Sequence, residues 1–430
     1  MLTQLFVVVM VKGIFLRPLE VCGQNSLSQT DIVYKITEST PNITNLLSDL
    51  SIFTSNPINL LTGITDVVPK PEIQKLCVMI TNQLIKYYGY IEDSFKVTTS
   101  DGYILTIFVC YSSKFTINQL KVIFLLHGMF DTSDTWCMNR GNQSLAYFLA
   151  DQGFMVYLYN ARGNRYSRNH ETYNPNLPGK FWEFSFAEMA IYDVPAVIDE
   201  IIKRTNISKI ACVGHSQGGT VLLIFASQKP EYHSKISSFT LLAPFTFMTH
   251  VGFPINDILR FFQLFTDTRN FEFAPNSLPQ RLLAPYLCQL ANGSYCNFAI
   301  NFVLGPSENQ RNNSMLGVYI CHMPGGLSVN QLVHFGQWLV YNYMGPMKPT
   351  FTHPTPGDYP LDDIKIPIQL FYSRNDPHTN PIDIEILQSK LPNQMEIHEV
   401  LQFNHVDFLW SINANTLVYS KIVSFALGNM

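Results

Sequence analysis

The sequence is poor in charge and has no excess of positive charge. Of its 430 residues only 14% are Asp, Glu, Lys or Arg, and 28 basic residues stand against 32 acidic ones, for a net charge of −4. A protein that binds nucleic acid needs a basic surface to neutralise phosphates. The composition therefore argues against a nucleic-acid partner and favours a globular chain that buries a large apolar core.

The sequence also lacks an apolar run long enough to cross a bilayer. The N-terminal run from Leu5 to Leu16 is interrupted by Lys12 and falls short of the roughly 20 residues that a spanning helix needs. Small residues follow it near Cys22, so the pattern predicts a secretory signal peptide over residues 1–23. No Lys or Arg precedes the run, and the alternative is an ordinary buried segment. We expect a soluble product without a transmembrane segment.

Two further features fit the secretory pathway and predict a secreted or lysosomal protein. Five Asn-X-Ser/Thr sequences could carry sugar in such a protein, and they begin at Asn42, Asn142, Asn206, Asn292 and Asn312. Loss of Cys22 with the signal peptide would leave seven of the eight cysteines, so at least one thiol is free or pairs between chains. Cys212 is the candidate for a buried free thiol. Cys288 and Cys296 could close a small loop, unless both stay reduced.

No internal repeat is visible, but the character of the sequence changes along the chain. Residues 24–71 are rich in Ser, Thr and Asn with little periodicity, which predicts a variable N-terminal extension. Beyond residue 72, two β-rich runs flank Asp101 and Gly102 and predict a hairpin. Up to residue 244, helical segments then alternate with continuous apolar runs typical of buried parallel strands. These runs are KVIFLL, FMVYLYN, KIACV and FTLLAPF.

The alternation stops after residue 244 and resumes near residue 351. Residues 245–350 favour helices and are rich in Phe. Two strands, a helix and a C-terminal helix from about Val406 are predicted for residues 351–430. The fold class predicted is therefore α/β: a mainly parallel sheet flanked by helices, built from residues 72–244 and 351–430, with an inserted helical unit at 245–350.

One short motif carries chemistry. The stretch VGHSQGGT places Ser216 between glycines, directly after an apolar strand and before a helix. Glycine tolerates the strained backbone of so sharp a turn. The motif is the G-x-S-x-G nucleophile elbow, which holds a serine hydroxyl at the tip of a strand. Such a hydroxyl needs a base and a group that holds the base, and in this fold the order is Ser, acid, His, each after a strand.

The remaining parts follow in that order. Asp376 comes after the strand IPIQLFYS and His405 after MEIHEVL, so His405 would take the proton of Ser216 and Asp376 would hold the imidazole. The backbone amides of Met129, after the strand VIFLL, and of Gln217 are the predicted oxyanion hole. Each part alone has an ordinary explanation as a turn, a loop cap or a structural histidine. Together they favour a serine hydrolase that needs no metal or cofactor.

Longer stretches resemble the acid lipases, the family of gastric, lingual and lysosomal acid lipases and their insect relatives. The resemblance covers nearly everything from residue 72 to the end. The stretches that carry it include LLHGMFDTSDTW, FWEFSFAEMAIYDVPAVIDEI, GHSQGGT, LAPF, HMPGGLSVNQLVHFGQ and NHVDFLW.

The resemblance implies an α/β-hydrolase core with a helical cap and lid inserted after LAPF. It implies the same roles for the five residues already named, and a short disulfide in the cap that matches Cys288 and Cys296. Family members hydrolyse triacylglycerols or cholesteryl esters without a metal. The acid loop departs from the family pattern: it reads YSRNDPH where the family is usually glycine-rich, with an apolar residue after the Asp.

The Phe-rich part of the insertion predicts an apolar acyl-chain tunnel and a lid that opens on a lipid surface. The alternative is that these rings form the core of the cap itself. The predicted function is a lipase that acts at a lipid–water interface through a serine acyl-enzyme. Two alternatives stay open: a non-catalytic lipid-binding or storage protein on the same fold, and an esterase for short soluble esters.

Overall fold

The computed structural model describes residues 69–289, 293–307, 309–350, 353–392 and 395–430. The predicted signal peptide and all but the last three residues of the predicted extension at 24–71 lie outside the described residues, as do the glycosylation candidates Asn42 and Asn292.

An eight-stranded sheet forms the centre of the molecule. Its strands are β1 (Ile91–Thr98), β2 (Ile104–Tyr111), β3 (Lys121–Leu126), β4 (Phe154–Leu158), β5 (Ile210–His215), β6 (Ile236–Leu242), β9 (Ile368–Tyr372) and β10 (Glu396–Glu399). Their order is β1-β2-β4-β3-β5-β6-β9-β10. The pairs β1–β2 and β2–β4 are antiparallel and all others are parallel. The predicted α/β class and the hairpin around Gly102 are confirmed.

Strands β3 to β6 are buried on both sides. Helices therefore cover both faces of this sheet. Along β5, Cys212 packs into one apolar cluster while Ala211 and Val213 pack into the other, as the alternation of side chains along a strand requires. Cys212 is a free, buried thiol, as predicted. The helices outside the insertion are α1 (Pro71–Val78), α2 (Thr81–Tyr87), α3 (Leu145–Asp151), α4 (Val194–Thr205) and α5 (Gln217–Gln228), then α11 (Pro381–Lys390), α12 (Asp407–Trp410) and α13 (Ser420–Asn429).

Shorter helical segments join these elements. A helical turn at Phe186–Glu188 and a π-helix at Met189–Asp193 lead into α4, and a second π-helix at Asn415–Tyr419 leads into α13. The 3-10 segments are Ile117–Gln119, Ser133–Trp136, Gly141–Gln143, Lys180–Trp182, Pro230–Lys235, Gln263–Phe265 and Asn313–Met315.

The chain between β6 and β9 is mainly helical. It holds α6 (Ile255–Phe262), α7 (Leu278–Leu287), α8 (Ser294–Leu304), α9 (Leu316–His322) and α10 (Val329–Tyr341), with a small antiparallel pair of β7 (Glu272–Phe273) and β8 (Leu327–Ser328). The next strand of the main sheet starts only at Ile368. The bounds of the inserted helical cap, residues 245–350, stay a prediction.

Two disulfides join parts of the structure. Cys288 and Cys296 are bonded across a separation of 8 residues, whereas Cys77 and Cys321 are bonded across 244. The bond between Cys77 and Cys321 ties α1 to the end of α9. No local pattern predicts this pairing, because the two cysteines lie so far apart in the chain.

The residues after Cys321 are held by further contacts. His322 Nε2 lies 3.0 Å from the carbonyl oxygen of Leu76, and its Nδ1 lies 3.0 Å from Asp134 Oδ2. The N–H of Gly325 donates to the carbonyl of Phe130 at 2.6 Å. The inserted helices are therefore attached both to α1 and to the loop after β3.

The C-terminal helix predicted from Val406 is interrupted. Helix α12 ends at Trp410 because the chain there turns to pair with the segment before α9: Ser411 forms an isolated β-bridge with Arg311, and the N–H of Ile412 donates to the carbonyl of Gln310 at 2.7 Å. A contact from a distant part of the chain thus overrides the helical pattern. Among the described residues, no helix has the length and apolar character needed to cross a bilayer.

Candidate active site

Ser216 sits at a sharp turn between β5 and α5. Its φ and ψ are 53° and −121°, a strained conformation that costs a non-glycine residue roughly 1–3 kcal/mol. The flanking glycines let the turn close: a Cβ on Gly218 would lie 2.2 Å from the carbonyl oxygen of Leu126, and one on Gly214 would lie 2.5 Å from the backbone of Gly218. The glycine pattern read from the sequence is therefore a steric requirement of the elbow.

The fold brings together the three side chains that the sequence singled out. His405 Nε2 lies 2.8 Å from Ser216 Oγ, and His405 Nδ1 lies 2.8 Å from Asp376 Oδ2. All three residues are at most 5% exposed. An imidazole that bridges a hydroxyl and a carboxylate in this way can move a proton off the hydroxyl.

Asp376 is held by four hydrogen bonds. Oδ1 accepts from the backbone N–H and from Nδ1 of His378 (2.8 and 3.1 Å), and Oδ2 accepts from Thr379 Oγ1 and His405 Nδ1 (2.5 and 2.8 Å). Burial alone would raise the pKa of Asp376, but the neighbouring His405 and these donors outweigh it and hold the pKa below its ordinary range. The carboxyl is therefore ionised.

The unusual residues of this loop do not turn Asp376 away from His405. Arg374 is directed to Glu399, with Nε 2.7 Å from Oε1. The carbonyl of Pro377 accepts from the N–H of Gly252 at 2.8 Å, which joins the acid loop to the start of the inserted segment.

Two more histidines pack against His405, and sequence reasoning gave neither a role. His215 Nε2 lies 2.8 Å from the carbonyl oxygen of His405, and burial lowers the pKa of His215 to about 3, so it is neutral and donates to that carbonyl. The ring of His378 stacks on the ring of His405 with centroids 4.2 Å apart. The one available signal was position: His215 precedes the nucleophile candidate, and His378 is two residues beyond the acid.

The loop after β3 lies directly beside Ser216. A Cβ on Gly128 would be 3.1 Å from the Cβ of Ser216. His127 fixes this loop: its Nε2 accepts from the Ala161 N–H and from Asn164 Nδ2 (3.1 and 3.2 Å), so Nδ1 carries the proton and donates to the Gly128 carbonyl at 2.8 Å. A trans peptide points its C=O and N–H in opposite directions. His127 therefore fixes the direction of the Met129 N–H.

The spacing of three side chains would also suit a metal ion. Asp376, His378 and His405 offer ligand atoms that all lie within 4.8 Å of one another. Both oxygens of Asp376 already accept hydrogen bonds, however, and a metal would have to displace them. The donor set is therefore better matched to proton transfer than to metal binding.

Two features define the α/β hydrolases: a mainly parallel sheet, and a strained serine that follows a central strand. The serine is hydrogen-bonded to a histidine, and the histidine to an acid, both from later loops. The chain matches the family model described as the alpha/beta hydrolase fold over residues 121–411, and that of a partial alpha/beta-hydrolase lipase region over residues 81–140. A structure from Sulfolobus solfataricus superposes with a TM-score of 0.56 at 13% identity, covering 79% of this chain and 95% of the other, which supports the fold.

The relatives narrow this class. The chain is 35% identical over 363 residues to gastric triacylglycerol lipase of Bos taurus, covering 80% of this chain and 90% of the relative. It is 32% identical to Lipase 1 of Drosophila melanogaster (83% and 82% covered) and 32% identical to the lysosomal acid lipase/cholesteryl ester hydrolase of Rattus norvegicus (80% and 90%). The chain belongs to this lipase family of α/β hydrolases and is an ester-hydrolysing enzyme, as the resemblance implied.

Proposed function

We propose that Ser216, His405 and Asp376 are the nucleophile, the base and the acid of this enzyme. The observation that carries the proposal is the unbroken hydrogen-bond chain from the Ser216 hydroxyl through His405 to Asp376, with 2.8 Å at both links. His405 takes the hydroxyl proton as Ser216 attacks the ester carbonyl, then gives it to the departing alcohol. Water, activated by the same imidazole, releases the acid from the acyl-enzyme.

The proposed oxyanion donors are the backbone N–H groups of Met129 and Gln217. Gln217 is the first residue of α5, so its N–H has no partner within the helix. The Met129 N–H points away from the Gly128 carbonyl that His127 holds. One such donor typically contributes about 3–4 kcal/mol to the transition state. Both groups belong to the backbone, so substitutions of these two side chains should matter less than shifts of the loop.

A serine-directed fluorophosphonate tests the nucleophile. Because His405 lies within hydrogen-bonding distance of Ser216, we expect stoichiometric covalent labelling, located at Ser216 by peptide mass spectrometry, with loss of hydrolysis in proportion. Ser227, a buried serine on α5 whose hydroxyl donates to the carbonyl of Ile224, is the internal control and should stay unlabelled. Labelling at another serine that tracks inactivation would refute the assignment.

We propose triacylglycerols or cholesteryl esters as substrates, met at a lipid–water interface. The names of the relatives support this class. Ser216 is only 3% exposed, and we propose that part of the insertion moves to admit a lipid. Of the eight phenylalanines between residues 245 and 273, six are buried in the apolar cluster that also holds residues of β3 and β5, which favours the alternative that most of these rings pack a core. Phe253 and Leu264 are 47% and 59% exposed and remain for lipid contact.

Replacing Phe253 and Leu264 together by serine should lower activity on emulsified triacylglycerol by about tenfold or more and leave kcat/KM for a soluble short-chain ester unchanged. Fully burying an apolar side chain contributes about 1.5–3 kcal/mol, and each of these two is about half exposed. The matched control replaces Ile117 and Leu177, which are 63% and 60% exposed and lie outside the insertion. An equal fall in activity on both substrates, or the same effect in the control variant, would argue against an interfacial role.

Rates of hydrolysis measured across tri-, di- and monoacylglycerols and sterol esters would identify the preferred lipid.

We also propose a secreted or lysosomal location. Disulfides persist in oxidising compartments, and two pairs are bonded here. The glycosylation candidates Asn142 and Asn206 are exposed, whereas Asn312 is half-buried and caps a 3-10 turn through Ser314. All three stay predictions.

A further inference from the structure

His378 binds the same carboxylate as His405. Its backbone N–H and its Nδ1 both contact Oδ1 of Asp376, while His405 contacts Oδ2. The carboxylate is acceptor-only when ionised, so Nδ1 of His378 carries a proton and donates it. One carboxylate thus serves two imidazoles, one on each oxygen.

The ring of His378 is also fixed in place by stacking. It contacts both Phe245, at a centroid distance of 5.4 Å, and His405, at 4.2 Å, and the residue is 6% exposed. The titratable groups that face it are Asp376 on its own loop, His405 on the loop after β10, and His215 from the elbow, on which His378 also acts. Burial, and the nearby His405, lower the pKa of His378 to about 4, so the ring is neutral at higher pH.

We propose that His378 is a positioning residue that orients the carboxylate of Asp376 and limits how strongly this carboxylate stabilises a positive charge on His405. The proposal rests on the roles proposed above for Ser216, His405 and Asp376. A hydrogen bond to Oδ1 draws negative charge toward the donor, and less of it then stabilises a positive charge at Oδ2. The bond also holds the carboxylate plane, which fixes the direction of Oδ2.

His378 acts as a neutral donor. A second positive charge 4.2 Å from the His405 ring would oppose the imidazolium that forms in the transition state. A neutral donor orients the acid without that cost.

The test is the pH dependence of kcat/KM on a soluble ester between pH 3.5 and 8, whose acidic limb follows protonation of the essential base in the free enzyme. For His378→Leu and His378→Ala, which lack the donor, we expect the midpoint of the acidic limb to rise by about 0.5–1 pH unit and kcat to fall several-fold. His378→Asn places an N–H close to the position of Nδ1 and should restore the wild-type midpoint. The control His353→Leu removes an exposed histidine and should change nothing.

Two results would overturn the proposal: a wild-type midpoint in the Leu and Ala variants, or an Asn variant that shifts as far as they do. A merely structural role for His378 would lower the yield of folded protein or the kcat without moving the midpoint. Failure of the underlying assignment is distinguishable, because it would appear as hydrolysis by a Ser216→Ala enzyme, whatever the His378 variants do.

Discussion

Replacing Ser216 by alanine is expected to lower kcat for ester hydrolysis by about 10⁴-fold or more, because only the oxyanion hole and substrate binding then remain to accelerate the reaction. The proposed nucleophile is a single oxygen at the end of the hydrogen-bond chain, and the mutation removes that atom alone. Alanine can keep the backbone φ of 53° at a cost similar to that of serine. Hydrolysis of a soluble ester, measured beside thermal unfolding, gives both readouts.

The matched control for this variant is Ser227→Ala, which removes a buried hydroxyl from the same helix and should retain activity. Thermal unfolding of the Ser216→Ala enzyme should stay close to wild type, so that the loss of rate reports chemistry. Retention of more than about one hundredth of the wild-type kcat would contradict the proposed nucleophile.

Replacing Asp376 by asparagine should lower kcat by about 10⁴-fold, through the tautomer of His405. An ionised Asp376 accepts the Nδ1 proton of His405, which leaves Nε2 free to accept from Ser216. An asparagine can turn its NH2 group toward Nδ1, which puts the imidazole proton on Nε2, and the base can then no longer accept from the hydroxyl. Pre-steady-state acylation measures this step directly.

The Asp376→Asn substitution should also lower the stability of the folded protein, because of the hydrogen bonds around this residue. Both of its oxygens face two donors, so an amide must set its NH2 group against N–H or O–H groups on one side, and some loss of stability is expected. Asp383→Asn is the control, since that carboxylate also accepts from a histidine, the N–H and Nδ1 of His250. If the Asp376→Asn enzyme kept a kcat within about tenfold of the wild-type value, another group would have to hold His405.

The convergence of the three proposed catalytic residues could be predicted from the sequence because each of them follows a local pattern. Ser216 follows an apolar strand within a glycine motif, and Asp376 and His405 each follow a strand. The carboxyl ends of parallel strands share one edge of the sheet, so strand order alone brings the three residues together. The unusual residues of the acid loop did not prevent the contact between Asp376 and His405, because that contact depends mainly on where the preceding strand ends.

Contacts between distant segments could not be predicted in this way. The bond between Cys77 and Cys321, the break in the C-terminal helix at Ser411 and the stacking of His378 on His405 all join parts of the chain with no shared pattern. The helical spacing after Val406 was real, but two backbone contacts with Gln310 and Arg311 outweighed it. The Phe-rich segment shows the same limit, because periodicity cannot separate a ring that packs the cap from one that meets lipid.

The fastening of residues 321–325 restricts how the entrance to Ser216 can widen. A covalent bond to Cys77, the contact of His322 with Leu76 and the hydrogen bond from Gly325 to Phe130 keep this part of the insertion stationary relative to the sheet. A movement of the insertion that admits a substrate would then involve its other segments. Since Phe130 follows Met129, the same attachment also restrains the proposed oxyanion amide, as a preorganised donor requires.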